Sequence, residues 1–323
     1  PPGPRPAGRR GGGWRRRAHR GALFRRARPG VGPTHGGKAG GIGRIAAHRA
    51  GVPVIVHTIH GPSFGPFQGP LANAVFTSAE RHAARFTSHF VVVAHAMTRQ
   101  YLAAGIGRPD QYTRIFSGFD LDPFLQAQND PALRQQLGLS PEDFVVGKIA
   151  RLFTLKGHDD LFAAAPELVR RCPRIKFLLV GDGLWRDRFI APAAALGLSN
   201  RFVFTGLVPP TDVARYVGVM DALVHLSRRE GLPRALPQAM AAGKPVVAFD
   251  CDGAREVCLD QETGFLLAPG DVAGLVDRLV NLAANPELRT RLGRRGQILA
   301  RENFPVARMV DDRHALYVRP LKK

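Results

Sequence analysis

Residues 225–253, HLSRREGLPRALPQAMAAGKPVVAFDCDG, constrain the fold more tightly than any other stretch. A Glu230-Gly-Leu-Pro turn leads into an apolar run from about Arg234 to Ala242, Gly243 closes it, and Pro245-Val-Val-Ala-Phe249 reads as a buried strand. Pro237 fixes where the helix begins. Proline is tolerated in a helix only where its missing N–H falls among the first four, which have no partner in any case. The helix therefore starts near Arg234, and its positive end lies beside Glu230. A helix feeding a buried strand is the unit of an α/β sheet. Free backbone N–H groups suit an anion, and a carboxylate accepts from hydroxyls, so the site fits an anionic ligand that also carries hydroxyl groups. Taken alone, the stretch reads more readily as an ordinary helix with Glu230 as a capping or surface carboxylate.

The rest of the chain repeats the pattern. Strands are expected at 52–60, 90–94, 112–116, 144–149, 175–180, 202–204, 222–225, 246–249 and 265–267. Between them lie helices at 38–49, 70–87, 96–104, 131–137, 158–171, 185–196, 211–219, 271–284 and 286–301. This alternation predicts parallel, doubly wound sheets with ligands at the carboxyl ends of the strands. At 323 residues the chain has room for two domains. No apolar run is long enough to span a membrane. Cys172, Cys251 and Cys258 lack metal-ligand spacing and read as cytosolic thiols.

The formal net charge of +20 suggests nucleic acid, but ten arginines and no acid fall within residues 1–30. Built from Pro, Gly, Arg and Ala, that tail has no apolar period and cannot bury a core. Residues 1–33 are expected to be disordered, with an artefact or truncation as the leading explanation and a solvated tail or a polyanion-binding arm as the others.

Polar motifs gather at successive strand ends. Arg151 and Lys156 share one loop, where two cations can neutralise a diphosphate. Gly181-Asp182-Gly183 permits close backbone approach, Thr205-Gly-Leu207-Val208 can frame a flat base, and Glu230 follows. Each motif has a plain reading as a solvated loop or a common turn.

In this order and spacing, Arg-Leu-x(3)-Lys-Gly, Gly-Asp-Gly, Phe-Thr-Gly and Glu-Gly-x-Pro resemble the donor site of retaining GT-B glycosyltransferases of family 4. In the first half, Thr34-His-Gly-Gly-Lys-Ala-Gly and His57-Thr-Ile-His60-Gly resemble the same family. The resemblance implies a GT-B fold of two Rossmann-like domains. Residues 34–141 would form a partial acceptor-side domain with its connection, 142–304 the nucleotide-sugar domain, and 305–323 a helix returning to the first domain. It implies that Arg151 and Lys156 hold the donor diphosphate and that Glu230 binds hydroxyls of the transferred sugar. The amides of Gly231 and Leu232 would meet sugar or phosphate, Gly181, Asp182 and Gly183 would line the donor site, and Leu207 and Val208 would contact the base. His60 would lie near the sugar.

Two departures stand out. The family places a second Glu eight residues after the first, where this chain has Gln238, whose amide still offers one acceptor oxygen for the ribose. Residues 1–33 also cannot supply the opening strand–loop–helix units, so the first sheet is expected to be incomplete. Asp120-Leu-Asp122 and Asp250-Cys-Asp252 resemble a metal motif of another glycosyltransferase fold but read here as turn residues, so no metal or cofactor is expected. The co-substrate would be a UDP-linked sugar, and the acceptor a glycan or lipid carrier met in the cytoplasm or at the cytoplasmic membrane face, with no specific nucleic-acid partner. Three alternatives stay open: a non-catalytic nucleotide-sugar-binding fragment, a sugar-nucleotide epimerase of similar architecture, and a polyanion-binding protein acting through the tail.

Overall fold

The structure, a computed structural model, describes residues 26–65 and 67–319. Residues 1–25 of the arginine-rich segment lie outside the described residues. The chain divides into two compact units, one running to Ile115 and resuming at Arg313, the other spanning Phe116–Asp312.

The first unit carries β1 (Val31–His35), α1 (Gly37–Arg49), β2 (Val54–Ile59), α2 (Pro70–Ala84), β3 (His89–Val92), α3 (His95–Ala103) and β4 (Tyr112–Arg114). All four strands pair in parallel in the order β1-β2-β3-β4. Order therefore begins inside the segment read as tail. Val-Gly-Pro-Thr-His hides its strand because only Gly32 and Thr34 are buried, and Pro33 is compatible with pairing because β1 lies at the sheet edge. Phe90, Val92, Met97, Tyr101 and Ile106 form the adjoining core. Beneath α1, Arg44 pairs with Glu80 at 2.5 Å, both buried.

The second unit opens with α4 (Asp122–Leu125) and α5 (Pro131–Gln136). Arg134 of α5 donates to the carbonyls of Val219, Ser140 and Asp143. Those bonds tie residues that read as a connection from sequence to this unit, which begins at Phe116. Strand and helix then alternate as far as β9: β5 (Phe144–Ile149), α6 (His158–Arg171), β6 (Ile175–Val180), α7 (Arg186–Ala195), β7 (Phe202–Gly206), α8 (Val213–Gly218), β8 (Ala222–His225), α9 (Ala235–Ala241) and β9 (Val246–Phe249), followed by β10 (Gly264–Leu267), α10 (Val272–Ala284) and α11 (Pro286–Asn303). A last helix, α12 (Val306–Val318), carries the chain across the division at Arg313.

The second sheet has the order β10-β9-β8-β5-β6-β7. Its direction reverses at β5, which pairs with β6 on one side and β8 on the other. In open parallel sheets ligands bind outside the carboxyl ends of the strands at such a reversal. The sheet is held by a continuous core in which Phe162, Phe177 and Phe202 stack with centroids 4.5 and 4.6 Å apart. Each such ring contributes about 2–3 kcal/mol by burial, so the strand ends are fixed by a well-packed base.

Candidate functional site

The loops after β5 and β8 pack backbone against backbone. Arg228 N–H donates to the Leu155 carbonyl at 2.9 Å. Gly157, at φ 66°, lies so close that an added Cβ would stand 2.0 Å from the Leu226 oxygen. Leu155 itself sits at φ 64°, a conformation that costs a non-glycine residue about 1–3 kcal/mol. The outcome is direct contact between the two residues singled out from sequence: Lys156 Nζ donates to Glu230 Oε1, with only 20% and 21% of the two side chains exposed. The Lys156 ammonium is thus already engaged by a carboxylate, and an anion bound there would compete with Glu230 for it.

Helix α9 starts at Ala235 and places Pro237 third, inside the turn whose N–H groups lack partners. Gly243 at φ 69° ends it. In the approach to α9, the amide of Glu230 donates to Asp252 Oδ2 at 2.7 Å. The amides of Gly231 and Leu232, both buried residues, make no hydrogen bond to another described residue. Buried amides rarely go unpaired, so these two are apt partners for a ligand. Gln238 is half-buried one turn into the helix.

The remaining donor-side residues line the same carboxyl edge. Arg151 is exposed, with its guanidinium 5.8 Å from the Phe153 ring centroid. Gly181 and Gly183 are glycines for a reason internal to the fold: a Cβ on either would approach the Ala150 or Leu152 carbonyl to 2.3 Å. Asp182 lies between them and accepts from the Gly183 amide. Leu207 stands 84% exposed beyond β7, with Val208 half-buried beside it. His60 belongs to the first unit, just past β2, where its ring stacks on His35 and Nε2 lies 3.3 Å from His35 Nδ1.

A set of buried polar groups beneath the Lys156–Glu230 pair was not legible in the sequence. Lys148 lies within β5, 2% exposed. Burial first, then repulsion from Lys156, push its ammonium down to about 7, and Asp160 and Glu230 oppose the shift. His225 Nε2 lies 3.6 Å from Glu230 Oε1, but burial and the two lysines hold its pKa well below the usual range, so it meets Glu230 as a neutral ring. His158, whose ring is tilted against Phe189 with centroids 4.8 Å apart, is pushed down by burial and the same lysines. Asp160 is engaged by Arg228 at 2.6 Å. The only sequence signal was a lysine inside an otherwise apolar strand. Of the Asp-x-Asp carboxylates, Asp250 pairs with Arg255 and Asp252 holds the Glu230 amide, and no cluster of three or more metal-ligating side chains exists among the described residues.

The reversal of strand order at β5, with Arg151, Lys156 and Glu230 on the loops around it, defines a doubly wound α/β protein with its binding edge at the carboxyl ends of the strands. Comparison with known proteins gives the family. Residues 129–298 match the model of glycosyl transferases group 1, and residues 1–117 match a glycosyl transferase 4-like domain, so the chain belongs to the GT-B glycosyltransferases of that family. It is similar to the UDP-Gal:alpha-D-GlcNAc-diphosphoundecaprenol alpha-1,3-galactosyltransferase of Escherichia coli, 28% identical over 290 residues, covering 88% of this chain and 74% of that one. It is 29% identical over 266 residues to the GDP-mannose-dependent alpha-(1-6)-phosphatidylinositol monomannoside mannosyltransferase of Mycolicibacterium smegmatis, covering 80% and 68%. Among solved structures it is similar to Anabaena HepE in complex with UDP, with a TM-score of 0.81 and 27% identity over 93% of this chain and 81% of that one. HepE has also been solved with UDP-glucose. The chain is a hexosyltransferase-type glycosyltransferase with a nucleotide-sugar-binding fold.

Proposed function

We propose that this enzyme transfers a sugar from a UDP-linked donor to an acceptor hydroxyl with retention of anomeric configuration and without a metal ion. The observation that carries the reading is the Lys156–Glu230 contact at the sheet reversal, beside the unpartnered amides of Gly231 and Leu232. An incoming diphosphate draws Lys156 off Glu230 and leaves the carboxylate open to accept from sugar hydroxyls. Arg151 and Lys156 then stabilise the charge that develops on the departing diphosphate, where preorganised cations lower the barrier most. Leu207 and Val208 would contact the base, Gln238 the ribose, and the 181–183 loop the diphosphate side. UDP as the nucleotide is supported by the HepE complexes and by the donor in the name of the Escherichia coli relative.

The acceptor is a glycan or a lipid carrier. The entire formal charge of +20 falls on the unit formed by residues 1–115 and 313–323, which holds 22 basic and 2 acidic residues, while the other unit holds 24 of each. Such asymmetry favours an anionic acceptor or membrane surface at the cytoplasmic face. No helix among the described residues is long and apolar enough to cross a membrane. The test is incubation with UDP-glucose, UDP-galactose or GDP-mannose and a lipid-diphosphate-linked sugar, followed by NMR of the product. An α-linked product from an α-linked UDP-sugar supports the reading. An inverted linkage, or transfer from GDP-mannose alone, would overturn it.

A further inference from the structure

We propose that Asp252 is a positioning residue of the donor site: its carboxylate anchors the Glu230 backbone, and so sets the preference for the sugar-bearing donor over the bare nucleoside diphosphate. The inference rests on the reading of Glu230 as the acceptor of sugar hydroxyls.

Among the described residues, the Glu230 side chain meets Lys156 in direct contact and neutral His225 at 3.6 Å. Lys156 is the group that a diphosphate takes away. A carboxylate that must keep its place after losing that contact needs a second anchor, and the backbone bond from Glu230 N–H to Asp252 Oδ2, 2.7 Å long, is one that does not pass through Lys156. It joins the loops after β8 and β9 across 22 residues of sequence.

The conformation of Asp252 points the same way. It sits at φ 49°, in the left-handed region, while the next residue, Gly253, lies at φ −81°, where any side chain fits. The turn therefore spends its glycine on the undemanding position and places an aspartate on the demanding one, where glycine would be unstrained. Leu155, beside Lys156, is likewise left-handed at φ 64°, so non-glycine residues in this conformation hold both partners of the ion pair. A carboxylate near a diphosphate site is also electrostatically adverse, which its bond to Glu230 offsets. The neighbouring charges do not supply the anchor. Asp250 is taken by Arg255, and the Cys251 thiol, pushed up to about 12 by burial and then by Asp252, stays protonated.

The test uses the full chain with Asp252→Gly and Asp252→Asn. Glycine adopts the observed φ without strain and removes the carboxylate, which also accepts from the Cys251 thiol at 3.4 Å, and asparagine tolerates the conformation and keeps one acceptor oxygen. UDP, UDP-glucose and UDP-galactose are titrated calorimetrically into each. In Asp252→Gly, UDP affinity is expected to stay within about twofold, while the affinity gained from the sugar falls by about tenfold, as loss of a charge-assisted hydrogen bond implies. Asp252→Asn is expected to recover most of that gain. An unchanged ratio of UDP-sugar to UDP affinity in Asp252→Gly, or an equal loss for both ligands, overturns the inference and leaves the donor reading standing. Failure of the parent chain to bind UDP overturns the donor reading, and the inference with it.

Discussion

Lys148 provides a quantitative test of the buried polar set under the donor site. Its side chain is 2% exposed in β5, and burial with repulsion from Lys156 lowers its pKa from 10.5 to about 7. Between those two values the unfolded chain binds a proton that the folded chain does not, so stability rises with pH across the window. At about 1.4 kcal/mol per pH unit, the accumulated cost at pH 7 and below is roughly 3–5 kcal/mol. Lys148→Met removes the charge and keeps a stem of similar length. The variant is expected to unfold at higher temperature or urea concentration than the parent at pH 6–7, with the gap closing as pH approaches 10. Unfolding curves at intervals from pH 6 to 10 measure this directly. A variant that is less stable at pH 7, or a difference that does not change with pH, would refute the assignment of a depressed, buried lysine. Because a diphosphate favours the protonated ammonium, the same variant is expected to bind UDP more weakly, and a stabilising change that costs function is the expected trade at such a site.

Removing the proposed leaving-group cations by Lys156→Ala or Arg151→Ala is expected to lower kcat by about 10²–10³-fold each, read from initial rates of sugar transfer. A change below about threefold would exclude the assigned role. Gly157→Ala forces a Cβ to 2.0 Å from the Leu226 carbonyl at a φ of 66° and is expected to destabilise by about 1–3 kcal/mol while weakening donor binding, both measurable by thermal unfolding with and without UDP. Transfer is expected to continue in excess EDTA, since Asp250 and Asp252 are engaged by Arg255 and the Glu230 amide. Loss of activity that magnesium or manganese restores would contradict the metal-independent reading.

The second unit was largely legible because most of its strands are short apolar runs, with β6, β7 and β9 closing at Gly181, Gly206 and Asp250. Pro237 alone placed the start of α9 to within one residue. The edge strand β1 was hidden because glycine, proline and a histidine dilute its period-two signal, and only its pairing with Val54 to Thr58 reveals it. Lys156 and Glu230 were each suspected, but their contact spans 74 residues and depends on β8 lying next to β5, an order that local pattern does not contain. Gly181 and Gly183 were read as room for a ligand, yet their side chains are excluded first by the chain's own carbonyls. Asp252 read as an ordinary turn residue because its partner is a backbone amide, which leaves no trace in side-chain chemistry.

The central claim is that Arg151, Lys156 and Glu230 form a live donor site, and calorimetric titration tests it most directly. Saturable binding of UDP, tighter binding of the intact UDP-sugar, and loss of that extra affinity in Glu230→Ala with UDP binding retained are the predicted results. Absence of UDP binding by the folded chain, or a Glu230→Ala variant that still distinguishes UDP-sugar from UDP, would contradict the account.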